Sequence, residues 1–321
     1  MSIIITGSTG HIGNNIARYL AEKNEDIVLL VRRIDKSIED INAKKILGNV
    51  FDKNFLEDNI KEGDVVIHLA GVIDIKNNKK EETLKINYEG TKTLLDVSIK
   101  NKASRFIYFS TTDCILKENE IIKEPATMYP EKLLDNYNHS KALATKYVMY
   151  MRNENKDIMI NILYPSAVIG INDYKPSAIG KVVKDIIANK MQFGIKGGYN
   201  FVDVSDISLA TYNLLQVNNN EDYLLTGRYV SIIEFYKIVN KVLNKRKTTI
   251  KIPLFLVYPF IPFVPYLSKF VIKTINQNPN FDNSKFKDLL NRDITKFEDT
   301  IKNTTEFFKT TNKEKIWNTY V

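Results

Sequence analysis

Thr6-Gly7-Ser8-Thr9-Gly10-His11-Ile12-Gly13 decides the fold. It follows a short apolar run over residues 2–6 and opens a helical pattern over 11–23. The glycines are spaced G-x-x-G-x-x-G. Glycine permits a tight turn, close approach of backbone to a pyrophosphate, and close packing of helix on strand. The N-terminus of the following helix then aims its N–H groups at phosphate oxygens. A lone glycine triplet is weak evidence, but one set between a strand and a helix is much stronger. The stretch predicts a dinucleotide-binding turn, with Gly7, Thr9, Gly10, His11, Ile12 and Gly13 as cofactor-binding residues.

Working outward, apolar strand-like runs alternate with helical patterns. Strands are predicted over 26–32 (DIVLLVR), 45–50, 64–70 (DVVIHLA), 105–110 (RFIYFS) and 157–164 (DIMINILY), and long helices over 79–101 and 134–153. Continuous apolar strands separated by helices mean a parallel sheet covered on both faces. The fold class is therefore α/β, a doubly wound parallel sheet with a smaller C-terminal α+β substrate lobe. The first domain spans residues 1–165 and is completed by about 199–222. The lobe takes 166–198 and 223–321. After residue 165 the pattern loosens, with a strand expected near 223–225 and helices near 232–243 and 296–308.

The tip of the second strand bears on the cofactor. An acid there hydrogen-bonds the 2′-hydroxyl of NAD, whereas an arginine accommodates the 2′-phosphate of NADP. The chain reads Leu30-Val31-Arg32-Arg33, and its nearest acid, Asp35, comes late. NADP(H) is expected over NAD(H), with Arg32 the first candidate for the phosphate and Arg33 the second. Gly48-Asn49-Val50 ends the third strand. Asn49 and Val50 are expected beside the adenine, the Asn49 amide either bonding the base edge or capping the next turn.

Tyr137 and Lys141 form a Y-x-x-x-K pair inside a predicted helix. Residues four apart share a helix face. A cation beside the phenol favours phenolate, and a tyrosine of ordinary pKa, about 10, is a poor base at neutral pH. Alone the pair arises by chance. Its context is TGSTGHIG (6–13), HLAG (68–71), NYEGTKTLL (87–95), FSTT (109–112), YPSAV (164–168) and FVDVSDIS (201–208), in that order. This series resembles the extended short-chain dehydrogenase/reductase superfamily, also called the NAD-dependent epimerase/dehydratase superfamily. The resemblance implies a Rossmann domain with a C-terminal substrate lobe. It implies Thr112, with Thr111 and Ser110 as neighbours, as the hydroxyl that holds the substrate oxygen. It also implies that Leu69, Ala70, Gly71, Pro165 and Val168 contact the cofactor, and that Lys141 binds the nicotinamide ribose as well as serving Tyr137. Two departures bear on the substrate site. Tyr164 stands where the family has Arg before Pro-Ser, and Cys114-Ile115-Leu116 replaces Val-Tyr-Gly.

Three reactions use such residues: carbonyl reduction, nucleotide-sugar epimerisation and nucleotide-sugar dehydration. Asp113-Cys114, in place of Asp-Glu after the catalytic Thr, argues against dehydration. The stretch 165–181, with Asp-x-Lys-Pro-Ser at 173–177, resembles the dihydroflavonol-reductase-like branch, and a milder resemblance is to 3β-hydroxysteroid dehydrogenases. The expected enzyme reduces a ketone or aldehyde with NADPH. Tyr137 donates the proton, Thr112 holds the oxygen and Lys141 lowers the tyrosine pKa. The alternative is a nucleotide-sugar 4-epimerase with tightly bound NAD. A lesser one is a non-catalytic NADP-binding sensor or scaffold, and such proteins often lose the Tyr or Lys kept here.

Composition narrows the partners. The 321 residues carry a net charge of +8, but the lysines are dispersed and interleaved with acids. That argues for a solvated surface and against a nucleic-acid partner. A single cysteine, Cys114, excludes an intrachain disulfide, suits a cytoplasmic setting and is best placed as a packing residue. The chain opens without a basic signal-peptide region. The apolar stretch 253–266 is interrupted by prolines and falls short of the ~20 residues a membrane span needs. A pocket wall or lid is its expected use, with membrane contact the lesser one. His11, His68 and His139 have no metal-ligand spacing, so no metal is expected. The helices at 79–101 and 134–153 resemble those of the family's dimer interface, so a homodimer is expected.

Overall fold

The computed structural model describes residues 1–74, 76–190, 192–257, 259, 269–277 and 280–313. The chain begins with β1 (Ile3–Thr6), α1 (His11–Glu22), β2 (Ile27–Val31), β3 (Lys44–Leu47), α2 (Lys53–Asn59) and β4 (Val65–His68). A helix over Lys80–Thr83 passes through a π-helical turn, Leu84–Glu89, into α3 (Gly90–Lys100). There follow β5 (Arg105–Phe109), α4 (Asn136–Glu154), β6 (Met159–Pro165), β7 (Ala167–Ile169), α5 (Ala178–Ile187), β8 (Gly198–Asp203), α6 (Val204–Leu215), β9 (Tyr223–Leu225), β10 (Arg228–Ser231) and α7 (Ile232–Val242). The last helices are α8 (Ser284–Leu290) and α9 (Phe297–Lys313).

Seven strands form one parallel sheet in the order β3-β2-β1-β4-β5-β6-β9. Ile3 stands opposite both Ile27 and Val65, and Arg105 opposite both Val65 and Met159. The order reverses between β1 and β4, and the carboxyl edge at such a reversal is where open α/β sheets bind ligands.

Side chains alternate across a strand with period two, so each strand supplies two cores. Ile4, Val66, Phe106 and Ile160 meet Leu94, Leu95, Ala142 and Val148 of α3 and α4 on one face. Ile3, Ile5, Ile67 and Ile107 meet Ile16 and Leu20 of α1 and Ile207 and Leu214 of α6 on the other. A strand apolar on both faces is the pattern a doubly covered sheet demands.

The second lobe is built on a three-stranded sheet, β10-β8-β7, packed against α5, α7 and α9. Phe201 lies 5.4 Å from Phe235 and 5.2 Å from Phe297, ring centre to ring centre. The main layer also takes back late segments. β9 pairs with β6, and Phe286 and Leu289 of α8 join the core under α6. Residues 223–225 and 284–290 therefore pack with the first domain, not with the lobe to which a division at 222/223 assigns them. Most of the stretch 253–266 lies outside the described residues. Among those described, no helix is long and apolar enough to cross a membrane.

Candidate active site

The glycine turn is shaped by backbone alone. Gly7 has φ +79°, and a Cβ there would lie 2.6 Å from the Ala70 nitrogen. Gly13 backs onto the Gly7 carbonyl, and Gly71 onto the Asn87 amide. The Leu69 N–H donates to the Thr6 carbonyl at 3.1 Å, tying the turn after β4 to the turn after β1. At α1, Gly10 is the N-cap and no side chain caps the helix, whereas Asp52, Asp135, Ser177, Asp203 and Ser231 cap α2, α4, α5, α6 and α7. The first N–H groups of α1 are thus left for an anion. The Ser8 hydroxyl is buried in the same turn without a partner. An open cradle with an orphaned hydroxyl fits a dinucleotide pyrophosphate.

His11 does not point inward: its Nε2 pairs with the Ile171 carbonyl at 2.9 Å. Beyond β2, Arg32 and Arg33 are exposed. Asp35 is engaged by Lys175 at 2.8 Å and by the Ser37 backbone N–H at 3.1 Å. Burial pushes the Asp35 carboxyl up, and the Lys175 and Ser37 contacts outweigh it and hold it below the usual range. Asn49 is exposed and its side chain accepts from the Phe51 N–H at 3.2 Å, so it caps the next turn. Val50 beside it is half-buried.

The end of the cleft at Tyr137 gathers three elements. Asp135 caps α4 by accepting from the Asn138 N–H at 2.8 Å, and Tyr137 stands half-buried in the first helical turn. One turn on, the buried Lys141 donates to the Phe109 carbonyl at 2.5 Å and sits 4.6 Å from the Tyr108 ring centre. Burial brings its ammonium down to about 8. After β5, the Thr111 side chain accepts from the Asp113 N–H at 3.2 Å, starting a short turn over Thr112–Cys114. Thr112 opens onto a cavity lined also by Asp113, Ser166, Tyr199 and Asn200. Pro165 ends β6 at this edge, and Val168 lies half-buried in β7.

The Tyr137 phenol is pushed above its ordinary range, first by burial and then by Asp113, Cys114 and Asp135; the Thr111 hydroxyl pulls it back down. Burial and these acidic neighbours outweigh the lowering expected from Lys141. The Lys141 ammonium is committed to a carbonyl while carboxylates face the phenol. Cys114 is a packing residue as expected: burial pushes its thiol up, and its Sγ donates to the Thr111 carbonyl at 3.0 Å. His68 bridges the Thr6 hydroxyl at 2.7 Å and the Thr91 hydroxyl at 2.9 Å, and burial, with Lys141 nearby, brings it down to about 3.

The structure gives four further residues contacts that sequence reasoning did not assign. Asn87 accepts from the Val72 N–H at 2.8 Å and donates to the Val72 carbonyl at 2.9 Å, pinning the loop after Gly71 from within the π turn. Its place in the NYEGT stretch was the available signal. Thr111 and Asp113 flank Thr112. Lys175, in the Asp-x-Lys-Pro-Ser stretch, reaches Asp35 across the cleft.

A dinucleotide cleft at the strand reversal, with Tyr137 and Lys141 on the helix after β5, defines an NAD(P)-dependent enzyme of the oxidoreductase type. Residues 3–225 match the NAD dependent epimerase/dehydratase family, and the chain belongs to that family. It is similar to the sterol demethylase protein B of Methylococcus capsulatus, 22% identical over 79% of this chain and 78% of that protein. It is also similar to a putative dihydroflavonol 4-reductase of Synechocystis, 26% identical over 70% of this chain and 66% of that one. Among solved structures, gox2253 superposes with a TM-score of 0.84 at 22% identity, covering 97% of this chain and 98% of that one. WbmH of Bordetella bronchiseptica, in complex with NAD+, superposes at 0.78 with 18% identity, covering 96% and 98%.

Proposed function

We propose that the chain is an NADP(H)-dependent oxidoreductase that reduces a ketone or aldehyde to an alcohol. The observation that carries this reading is the placement of the Tyr137 phenol against Thr111 and Asp113, in the same turn as Thr112, where Thr112 and Asp113 line a cavity. A phenol kept protonated is a proton donor, which is what reduction of a carbonyl requires. Bound nicotinamide would supply the hydride. Tyr137 gives its proton to the carbonyl oxygen, and Thr112 steadies that oxygen with a hydrogen bond. Lys141 supplies positive charge one helical turn away as the phenolate forms.

The preference for NADP(H) rests on the exposed Arg32 and Arg33, and on an Asp35 carboxylate already engaged by Lys175 and Ser37. Relatives named as a dihydroflavonol reductase and as a sterol-4-alpha-carboxylate 3-dehydrogenase, the latter 23% identical over 86% of this chain, support a carbonyl or alcohol on a ring. A homodimer through the helical segments 79–101 and 134–153 is part of the same proposal.

The test is NADPH oxidation over a panel of ring and open-chain carbonyls, run beside a panel of UDP-hexoses. Steady NADPH consumption on a carbonyl is expected. A putative UDP-glucose 4-epimerase of Methanocaldococcus jannaschii is 25% identical over 74% of this chain. Interconversion of UDP-hexoses without net cofactor use would replace the reductase reading with that one.

A further inference from the structure

The loop between β7 and α5 is bolted to α1 and to the second lobe. The Ile171 carbonyl accepts from His11 at 2.9 Å and from the Asn15 amide at 3.0 Å. The Tyr174 ring faces the Arg18 guanidinium at 5.5 Å and the Phe307 ring at 5.3 Å. Within the loop, Asp173 accepts from the Ser177 N–H and hydroxyl at 2.9 Å each. So fastened, the loop lays Lys175 over the dinucleotide turn. Its Nζ is 3.4 Å from the Thr9 carbonyl and 2.8 Å from Asp35 Oδ2.

That position joins the pyrophosphate turn to the loop after β2, which frames the adenosine ribose. We propose that Lys175 is a binding residue for the cofactor's 2′-phosphate, the third cation of a site it shares with Arg32 and Arg33. The proposal rests on the NADP(H) reading and names the group that makes it work. Left alone, Asp35 would repel a phosphate and accept from a ribose hydroxyl. With Lys175 upon it, Asp35 is matched by a cation from the β7–α5 loop, and Arg33, its Nε 4.0 Å from the same carboxylate, stands beside the pair. Phosphate recognition and the second lobe are thereby coupled, because the cation is delivered by the segment that leads into that lobe.

Lys175 is partly exposed but the Asp35 side chain is only 10% exposed, so Lys175→Met costs some stability, which Lys175→Arg restores. The experiment titrates adenosine 2′,5′-bisphosphate and 5′-AMP into the full chain by calorimetry, for wild type, Lys175→Met and Lys175→Arg. Wild type is expected to favour the bisphosphate. Lys175→Met is expected to lose about tenfold in affinity for it, with 5′-AMP little changed, and Lys175→Arg to keep the preference. Asp35→Asn provides an independent variant and is expected to bind the bisphosphate more tightly. Equal losses for both ligands in Lys175→Met, or weaker bisphosphate binding in Asp35→Asn, would make Lys175 a loop fastener and overturn the inference. A wild type that favours 5′-AMP would instead defeat the NADP(H) reading beneath it.

Discussion

The turn after β1 and the turn after β5 stand at the same edge of the sheet with only β4 between them. They are built from opposite materials. The first is glycine and backbone: Gly7 lies in the left-handed region against the Ala70 nitrogen, and the α1 N–H groups are uncapped. The second is side chain: Ser110, Thr111, Thr112, Asp113 and Cys114 crowd hydroxyls, a carboxylate and a thiol into one turn. Binding a phosphate depends on shape, which an added atom destroys. Moving a proton depends on charge, which a substitution of the same shape destroys.

The sharpest way to break this contrast is to remove one oxygen from the second region. Tyr137→Phe is expected to cut turnover by roughly 10²–10⁴-fold with cofactor affinity preserved, measured by steady-state kinetics and by fluorescence titration of NADPH. Normal turnover would deny the phenol its role as acid. The counterpart adds one methyl to the first region. Gly7→Ala places a Cβ at φ +79° and 2.6 Å from the Ala70 nitrogen. It is expected to weaken NADPH binding by tenfold or more, consistent with about 1–3 kcal/mol of backbone strain, and to lower the melting temperature. Unchanged binding would mean that the turn is not the phosphate cradle.

The two regions were also unequally legible in the sequence. The glycine turn is local: its spacing, the strand before it and the helix after it lie within about twenty residues, and β2, β4 and β5 announce themselves as unbroken apolar runs. α6 did not, because VSDISLATYNLL is buried between the sheet, α1 and α8 and carries little periodicity to read. The Tyr137/Lys141 pair was legible because four residues make one helical turn. Its electrostatics were not, because Asp113 and Thr111 come from another element and no spacing reveals that they face Tyr137. Lys175 is the extreme case, meeting Asp35 from 140 positions away in the chain.

Asp113→Asn tests whether charge in the second region sets the proton chemistry. The Asp113 carboxylate raises the Tyr137 phenol, so its removal lowers that pKa. Reduction needs the protonated phenol, and its rate falls as pH rises through the pKa. In the variant this fall should come at lower pH in kcat/KM profiles. An unmoved alkaline limb would show that burial alone holds the proton.

The smallest expected effect belongs to the strand between the two turns. His68 ends β4 and bonds Thr6 on one side and Thr91 on the other, its ring 5.8 Å from that of Tyr108. Its folded pKa of about 3 lies below the ordinary 6.5. The unfolded chain therefore binds a proton between these values that the folded chain refuses. Stability is insensitive to this group above pH 6.5 and declines as pH falls below it. At pH 6 the loss is only about 1 kcal/mol, growing towards about 1.4 kcal/mol for each further unit. His68→Gln should start less stable at pH 7.5, having lost its fitted bonds, yet show the shallower decline in urea midpoint down to pH 5. Parallel declines would mean that the imidazole is charged in the fold. The strand that separates the shape-dependent turn from the charge-dependent one would then carry a cation beside Lys141, and the contrast between the two would have to be redrawn around it.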